Sequence, residues 1–434
     1  MRRLLDRIEG FFFSRESALG IGMMRAGFGA MVLLSMGSRI GDALRYFSDT
    51  GLWPEPVGES FLRLYRFTLL DTFHGPIGVS AMYGLLIAFA FSTMIGLLPR
   101  FSTIMTYMLL ASFHERAYAP LAGGDTVIRA IGFIVMISPG IQAFSVRRIP
   151  AQWKNWKAHR ALLPSVTMPC WPRLLVLWQL IVIYVTSGWF KLLGSNWIAG
   201  NAAAYPYHHA HFARFDSAIF DAIPYFYPAI TYTTLVWEML WLLFLLPPAL
   251  TTRIPFLRDG GFRRFMLFGG LVFHGMILAT LAVGTFSYAM FTLYLGMLRD
   301  EDFAAIRAWF GGKKEKVTML YDSACGFCIR SSFIFRLFDG LHRIRFADMR
   351  DPEARKTYAP EISLAELDRV VHVRLRNGKV VSGYRAVRVL LKQLPICWIV
   401  VPLLYIPGIT IIGDPVYEFI ATRRRRCIDG SCET

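Results

Sequence analysis

Long apolar segments alternate with short polar segments over the first three hundred residues. A helix that crosses the hydrocarbon layer, about 30 Å thick, needs about 20 mostly apolar residues at about 1.5 Å per residue. Windows of this kind lie near 17–37, 77–98, 101–113, 127–146, 174–193, 226–248, 264–282 and 284–299. The pattern predicts an all-α membrane bundle of about eight transmembrane helices over residues 1–310. The window at 101–113 is short and only GTFSY separates the last two, so a re-entrant segment or one bent helix stays open there.

The pattern changes after residue 316, where short apolar runs alternate with helix-like segments. KVTMLY, RIRFADM, RVVHVRL and KVVSG have the pattern of strands, and the Asn-Gly pair at 377–378 is a hairpin turn between the last two. CGFCIRSSFIFRLFD and YRAVRVLLKQL have the spacing of helices. The predicted order β, α, β, α, β, β, α is that of a thioredoxin-like α/β domain over residues 316–434, which is long enough to enclose its own core.

Composition supports a membrane protein. Of the 434 residues, 55% are hydrophobic, and the mean hydropathy is +0.42. The formal net charge of +17 suits either nucleic acid or an anionic membrane surface. The basic residues lie between the apolar segments, so we expect membrane lipid as a partner and no nucleic acid. MRRLLDRIEGFFFSR has no convincing cleavage site after it, so we expect the first span to remain as an anchor.

Basic residues are unevenly divided between alternate loops. One set of loops contains most of them, including Arg100, Arg147, Arg148, Lys154, Lys157, Arg160, Arg253 and Arg258. The opposite loops contain Arg45, Arg63, Arg66, Arg116 and Arg214. By the positive-inside rule, this asymmetry predicts that both termini are cytoplasmic. We expect a bacterial inner (plasma) membrane.

Polar residues at membrane depth are candidate functional groups, because an ionisable side chain there costs several kcal/mol unless it is paired or solvated. Lys191 ends the fifth window, and Glu238 and His274 lie inside the sixth and seventh. Further candidates on the same predicted side are His114, Arg116, Asp125, His208, His209 and His211. Taken singly, Lys191 can snorkel, Glu238 and His274 can form a packing pair, and the histidines can be a solvated loop. Together they predict an outward-facing polar cavity.

Three segments resemble a known membrane family. SGWFKLLGSNWIAG is similar to the Gly-x-x-Lys…Trp…Gly stretch of vitamin K-dependent γ-carboxylase and the wider HTTM (horizontally transferred transmembrane) family, and HERAYAPLAGGDTVIR and YFSDTGLWPEP resemble other HTTM loops. The resemblance covers roughly residues 10–300. It implies that Lys191 is a base acting on a quinone-like molecule, with Trp197 nearby. The large lumenal region of the carboxylase is replaced here by the thiol domain.

Cys325 and Cys328 lie where a predicted strand gives way to a helix. A cysteine reacts as the thiolate, and its pKa falls at a helix N-terminus, where free N–H groups stabilise negative charge. We therefore expect Cys325 to be an exposed nucleophile and Cys328 to resolve its mixed disulfides. Two alternatives remain: a Cys₄ zinc site completed by Cys427 and Cys432, or inert packing. No metal is expected, because CIDGSC has a wider gap than the usual knuckle.

The spacing Tyr-Asp-x-x-Cys-x-x-Cys, followed by GYRAV, PLLYIPG, VYEFIATRRRR and a late cysteine, resembles the DCC family of predicted thiol-disulfide oxidoreductases. That resemblance implies a thiol/disulfide protein or small-thiol partner. No proline precedes RVVHVRL, so the platform that thioredoxin places opposite its cysteines is missing. Cys427 and Cys432 form a candidate redox relay; alternatively, the arginines at 423–426 only anchor the tail to the membrane.

These patterns predict an integral membrane thiol-disulfide oxidoreductase. Its helical domain would act on a quinone-like, small or peptidic substrate. The rival interpretation is a carboxylase-like enzyme that uses Lys191 and is regulated by the thiol domain. A third is a non-catalytic membrane scaffold or lipid-binding protein.

Overall fold

The structure is a computed structural model, and it describes residues 2–52, 68–117, 121–258, 260–311, 316–422, 427–428 and 431–432. The chain divides into two compact units. The helical unit contains residues 1–149 and 165–299. The thiol unit contains residues 150–164 and 300–434. The predicted division into domains 1–310 and 316–434 stays a prediction.

Helices make up most of the described part of residues 1–311. The helices are α1 (Arg2–Phe13), α2 (Leu19–Gly37), α3 (Ala43–Phe47), α4 (Pro76–Ile95), α5 (Pro99–Arg116), α6 (Gly123–Ile137), α7 (Ile149–His159), α8 (Trp171–Leu192), α9 (Ser195–Ile198), α10 (Ala204–His208), α11 (Ala218–Asp221), α12 (Phe226–Leu240), α13 (Pro248–Thr251), α14 (Pro255–Arg258), α15 (Gly261–Thr280), α16 (Phe286–Gly296) and α17 (Asp300–Gly311). Two short antiparallel strands, β1 (Arg15–Ser17) and β2 (Thr167–Pro169), pair across the unit.

Five helical segments in the described part of the chain are long and apolar enough to cross a membrane. They are Leu19–Gly37, Pro76–Ile95, Trp171–Leu192, Phe226–Leu245 and Gly261–Thr280. The eight predicted spans are not confirmed. The windows at 127–146 and 284–299 form helices of 15 and 11 residues, which at about 1.5 Å per residue fall short of a 30 Å layer. The window at 101–113 lies in α5, which includes Arg100, Glu115 and Arg116.

Helix α2 lies at the centre of the helical unit and packs against α4, α6 and α16. A Cβ on Gly29 would lie 2.4 Å from the backbone nitrogen of Met94, so glycine is required where α2 meets the end of α4. Sequence reasoning missed Arg25, which is fully buried in α2. Its guanidinium donates to backbone carbonyls of Thr93, Met94, Ile141 and Phe144, which compensates for burying the charge.

The thiol unit contains a four-stranded sheet with helices around it. After α17, the elements are β3 (Val317–Tyr321), α18 (Gly326–Phe338), β4 (Ile344–Asp348), α19 (Pro352–Tyr358), α20 (Leu364–Arg369), β5 (His372–Arg374), β6 (Val380–Ser382), α21 (Gly383–Gln393) and α22 (Thr410–Thr422). The predicted order is therefore observed, with two short helices between β4 and β5 where one was expected. The tail contains two short paired strands, β7 (Cys427–Ile428) and β8 (Ser431–Cys432).

The sheet order is β4-β3-β5-β6. Strand β3 is parallel to β4 and antiparallel to β5, and β5 is antiparallel to β6. All five residues of β3 are buried, because this strand is central in the sheet and helices cover it. Its carboxyl end, at Tyr321, leads directly into the loop that carries Cys325.

Residues 150–164 come from a predicted interhelical loop but pack within the thiol unit. Trp156 of α7 is buried, and its ring lies 5.7 Å from that of Phe346 and 6.5 Å from that of Phe333. Trp153 lies 5.2 Å from Phe333. The core of the thiol unit is therefore completed by a segment distant in sequence.

Candidate active site

The two cysteines of the thiol unit lie at the first turn of α18. Cys325 is the N-cap residue, with extended backbone angles (φ −89°, ψ 114°). Its Sγ accepts a hydrogen bond from the backbone N–H of Cys328 at 3.5 Å. Hydroxyl and carboxylate oxygens usually fill this role at N-caps. Here a sulfur fills it, so the helix N-terminus is directed at the thiol.

The hydrogen bonds stabilise Cys325 as a thiolate. The largest effect is a hydrogen bond from the Cys328 side chain, and the backbone N–H groups of Cys328 and Phe327 add to it. Together they lower the pKa of Cys325 to about 6, against the opposing effects of burial and of the Asp322 charge. Both cysteines are reduced in this structure. Cys325 is therefore largely ionised at neutral pH.

The prediction that Cys325 is exposed was wrong. The residue is only 3% exposed, whereas Cys328 is half-buried. Burial follows from the cap geometry, because the Cys325 sulfur turns back over the first turn of α18 to accept N–H groups. Cys328 is therefore the more accessible residue of the pair.

An ion pair between the buried Asp322 and the partly exposed Arg350 stabilises the loop before the cysteines. Asp322 is 1% exposed and accepts hydrogen bonds from the Arg350 guanidinium on both carboxylate oxygens and from the backbone N–H of Ala324 at 2.9 Å. Asp348 accepts from the backbone N–H groups of Ser323 and Arg350. The aspartate of the Tyr-Asp-x-x-Cys spacing therefore has a structural role. Sequence reasoning missed Arg350, since no local pattern pairs it with Asp322.

An apolar cavity of about 480 Å³ lies next to the dithiol, within the thiol unit. Cys328 and Phe327 from α18 form one side, and residues of α21, α22 and the segment before α22 form the other. Val370 and Val371, which precede β5, also line it. Sequence reasoning did not find this cavity, although the apolar run ICWIVVPLLYIPGITIIG at 396–413 was a signal for it.

In the helical unit, Lys191 forms an ion pair with Glu238. Its Nζ also donates to Ser187 Oγ at 3.0 Å and lies 4.9 Å from the centre of the Trp197 ring. Ser187 in turn donates to Glu238 at 3.2 Å. The structure thus brings together three of the predicted residues, Lys191, Glu238 and Trp197.

The predicted pair of Glu238 and His274 does not form. His274 Nε2 hydrogen-bonds instead to the hydroxyl of Tyr184 at 2.7 Å, and that hydroxyl also contacts the hydroxyl of Tyr294. Glu238 is occupied by Lys191, which lies one turn from Ser187 on α8 and so reaches it directly. Sequence reasoning missed both tyrosines, because aromatic rings are common in the core of a membrane bundle.

The remaining candidates lie in separate places. Asp125 binds Arg39 at 2.9 Å and Ser35 at 2.6 Å. His114 is buried, and neither of its ring nitrogens forms a hydrogen bond with a described residue. The Arg116 side chain donates to the carbonyl of Phe47 at 3.2 Å. His208, His209 and His211 are exposed, with Asp221 as the partner of His208 at 3.2 Å. These residues are not united in one cluster with Lys191, and the polar cavity stays a prediction.

The residues predicted to act in the tail lie largely outside the described part of the chain. Residues 423–426 are not described, nor are the side chains of Cys427 and Cys432. The backbones of these two cysteines pair directly across β7 and β8. Among the described residues, no group of three or more metal-ligating side chains occurs.

Comparison with known families identifies the thiol unit. Residues 319–429 match the family described as DCC1-like thiol-disulfide oxidoreductase. The match includes β3 to β7, and thus the dithiol, the Asp322–Arg350 pair and the apolar cavity. No curated protein and no solved structure matches the chain.

Proposed function

We propose that this chain is a membrane-bound thiol-disulfide oxidoreductase in which Cys325 attacks and Cys328 resolves. One observation carries the proposal: the Cys325 sulfur caps α18 and has a pKa lowered to about 6. A thiolate that is stable near neutral pH is both available for attack and a good leaving group. The match to a thiol-disulfide oxidoreductase family and the five apolar helices support the same function.

The exchange would proceed in two displacements. The Cys325 thiolate attacks one sulfur of a partner disulfide, forms a mixed disulfide and releases the first partner thiolate. Cys328, which lies one turn further along α18, then attacks the Cys325 sulfur and releases the second. The products are a Cys325–Cys328 disulfide and a reduced partner, and the reverse sequence oxidises a partner. The sheet order and strand directions support a thioredoxin-like core for this chemistry.

Trapping tests the assignment of the two cysteines. The purified full chain in detergent is incubated with a disulfide-containing peptide, as the Cys325→Ser and the Cys328→Ser variant, and adducts are read by non-reducing mass spectrometry. We expect the Cys328→Ser protein to accumulate a mixed disulfide at Cys325. If adducts form only in the Cys325→Ser protein, Cys328 is the attacking group, and if neither variant forms adducts, the proposed function fails.

For the helical unit, the Lys191–Glu238–Trp197 group supports a polar site of the HTTM type. In this arrangement Lys191 is paired with Glu238, so a substrate on which Lys191 acts has to displace that carboxylate. A quinone-like, small or peptidic substrate and a carboxylase-like reaction are proposals for this site. Comparing Lys191→Ala with Cys325→Ser in one physiological assay distinguishes chemistry in the helical unit from chemistry in the thiol unit. Loss of activity in Lys191→Ala alone assigns the chemistry to the helical unit.

We further propose that both termini are cytoplasmic in a bacterial inner membrane. The orientation rests on the loop charges alone.

The backbones of Cys427 and Cys432 pair directly across β7 and β8, which supports a second dithiol in the tail. Deleting residues 427–434 should then slow turnover of the Cys325–Cys328 pair. Unchanged turnover would leave the tail as an anchor only.

A further inference from the structure

The cavity beside Cys328 has the size of a small-molecule site. Its volume of about 480 Å³ lies within the range of about 300–1,000 Å³ that such sites span. The Cys328 side chain lies in its wall, and Cys325 is adjacent to Cys328 through their hydrogen bond. A molecule bound there would therefore contact the redox pair directly.

The lining of the cavity disfavours a charged ligand. Among the described residues that line it, Asp322 is the one charged side chain, and Arg350 already binds its carboxylate. The hydroxyl oxygen of Tyr417 accepts a hydrogen bond from the backbone N–H of Val371 at 2.8 Å. Burying a charged group without a partner costs several kcal/mol. A nucleotide or an anionic small thiol is therefore a poor fit, and an uncharged apolar molecule is a good one.

The outer surface of the same wall indicates where such a molecule comes from. Ile399 is 89% exposed and Ile411 78% exposed. Other exposed apolar side chains on this segment, outside the cavity lining, are Ile396, Val400, Leu403, Ile406 and Phe419. A patch of this kind marks a membrane or protein contact. Because the chain also contains five helices able to span a bilayer, we infer that this patch contacts lipid.

From these observations we propose that the cavity beside Cys328 binds the ring of a lipid-soluble quinone, which oxidises the Cys325–Cys328 dithiol. A dithiol needs a partner that takes up two electrons and two protons. Among uncharged molecules dissolved in the bilayer, quinones are the chemical class that does this. The proposal rests on the proposed function, since it requires a redox-active dithiol, and it names the oxidant of that site.

The reaction balances without another reactant. The S–H bond of Cys328 breaks, and an S–S bond forms between Cys328 and Cys325. Two electrons leave the sulfur atoms and reduce the quinone to the hydroquinone. One quinone oxygen takes the proton of Cys328, and the other takes from water the proton that Cys325 released on ionising. The resulting disulfide can then oxidise a partner dithiol.

A cavity-filling substitution tests the site. Val387 of α21 lines the cavity, whereas Val380 of β6 does not and is also half-buried. The pre-reduced full chain in lipid nanodiscs is mixed with decylubiquinone without oxygen, and hydroquinone formation and thiol loss are followed together. We expect Val387→Trp to slow both by tenfold or more and Val380→Trp to leave them within twofold of wild type. Leu404→Trp, on the opposite wall, is the second filling variant if Val387→Trp does not fold.

A binding measurement that needs no turnover accompanies the rates. A photoreactive decylubiquinone analogue is crosslinked to the Cys325→Ser/Cys328→Ser double variant, and labelled peptides are mapped. Label within residues 404–421, competed by decylubiquinone, supports the site. Label confined to the helical unit, or equal oxidation rates in Val387→Trp and wild type, overturns it. If wild type exchanges disulfides with a peptide but is not oxidised by the quinone, this inference fails and the proposed function stands; if neither reaction occurs, both fail.

Discussion

The Cys325 sulfur receives hydrogen bonds from both the side chain and the backbone of Cys328, and from the backbone of Phe327. This arrangement makes thiolate stability a property of one helical turn, so residues within that turn control reactivity. It also explains why the reactive sulfur is buried, since the same contacts cover it. Cys325 is thus the more reactive cysteine, and Cys328 is the more accessible one.

Cys328→Ala should raise the pKa of Cys325 from about 6 toward the ordinary cysteine range, because the largest stabilising hydrogen bond is removed. The measurement is the pH dependence of Cys325 alkylation, followed by peptide mass spectrometry. In wild type the rate should rise through about pH 6 and level off above it, whereas in the variant the rise should move to higher pH. A profile that stays in place would show that the backbone donors alone hold the thiolate.

Asp322→Asn should lower both the stability of the thiol unit and the pKa of Cys325. Breaking the pair with Arg350 should lower the free energy of unfolding by about 1–3 kcal/mol. The cost is limited because Arg350 is partly exposed, so water can solvate its charge when the carboxylate is gone. Removing the negative charge should also lower the pKa of Cys325 further, because Asp322 opposes its ionisation. Urea unfolding and the alkylation profile measure the two. The exposed Glu361→Gln serves as the control, and a raised pKa in Asp322→Asn would contradict the assignment.

The thiolate position was predictable from sequence, because a CxxC pair between a strand and a helix pattern places the first cysteine at a helix start. Its burial was not, since that depends on the direction in which one sulfur turns. Glu238 and His274 show the same limit. Both were identified as buried polar residues, but their partners, Lys191 and Tyr184, depend on helix rotation that a hydropathy pattern does not define.

At the scale of elements, α22 closes the cavity by packing against α21. A Cβ on Gly413 would lie 2.3 Å from the Tyr384 ring, so α22 approaches α21 as closely as glycine allows. Tyr417 of α22 accepts the backbone N–H of Val371 at 2.8 Å, which ties the helix to the start of β5. The cavity wall is therefore fixed at two points.

Gly413→Val should push α22 away from α21 and destabilise the thiol unit by about 1–3 kcal/mol, as overpacking does elsewhere. Limited proteolysis should then cut between 400 and 422 at lower protease concentrations than in wild type. Gly340→Val is the matched control, because a Cβ there meets no atom within 4 Å. Equal protease sensitivity in the two variants would mean that the close contact of α22 does not support the wall.

The helices of the helical unit show what hydropathy predicts and what it does not. The five long apolar segments were located correctly. Helices α6 and α16 contain apolar residues that sequence alone assigns to spans, but they end early, at Ile137 and Gly296. Many of their side chains are buried against other helices, so part of their hydrophobicity reflects packing within the protein.

At the scale of the whole molecule, the thiol unit is not continuous in sequence. Residues 150–164 lie between two parts of the helical unit along the chain but belong to the thiol unit. No local pattern in this basic, tryptophan-containing loop indicates its partner. The packing of Trp156 on Phe333 and Phe346 becomes visible only in three dimensions.

Trp156→Ala should destabilise the thiol unit by about 3–5 kcal/mol, because it removes a buried ring from its core. Urea unfolding of the full chain, followed by the exposure of Cys325 to alkylation, measures this. Lys154→Ala, an exposed position on the same helix, should leave the unfolding midpoint unchanged. Equal midpoints for the two variants would show that α7 is not part of the thiol core.

The chain crosses between its two units at 149–150, at 164–165 and at 299–300. A gene truncated to residues 316–434 would therefore encode a thiol domain that lacks three of its own tryptophans, Trp153, Trp156 and Trp309. Conversely, co-expressed pieces covering 1–311 and 316–434 should associate without a covalent link, because the first piece contains residues 150–164, which complete the core of the second. Any exchange of the last third of this gene for another domain would have to replace a loop 150 residues upstream as well.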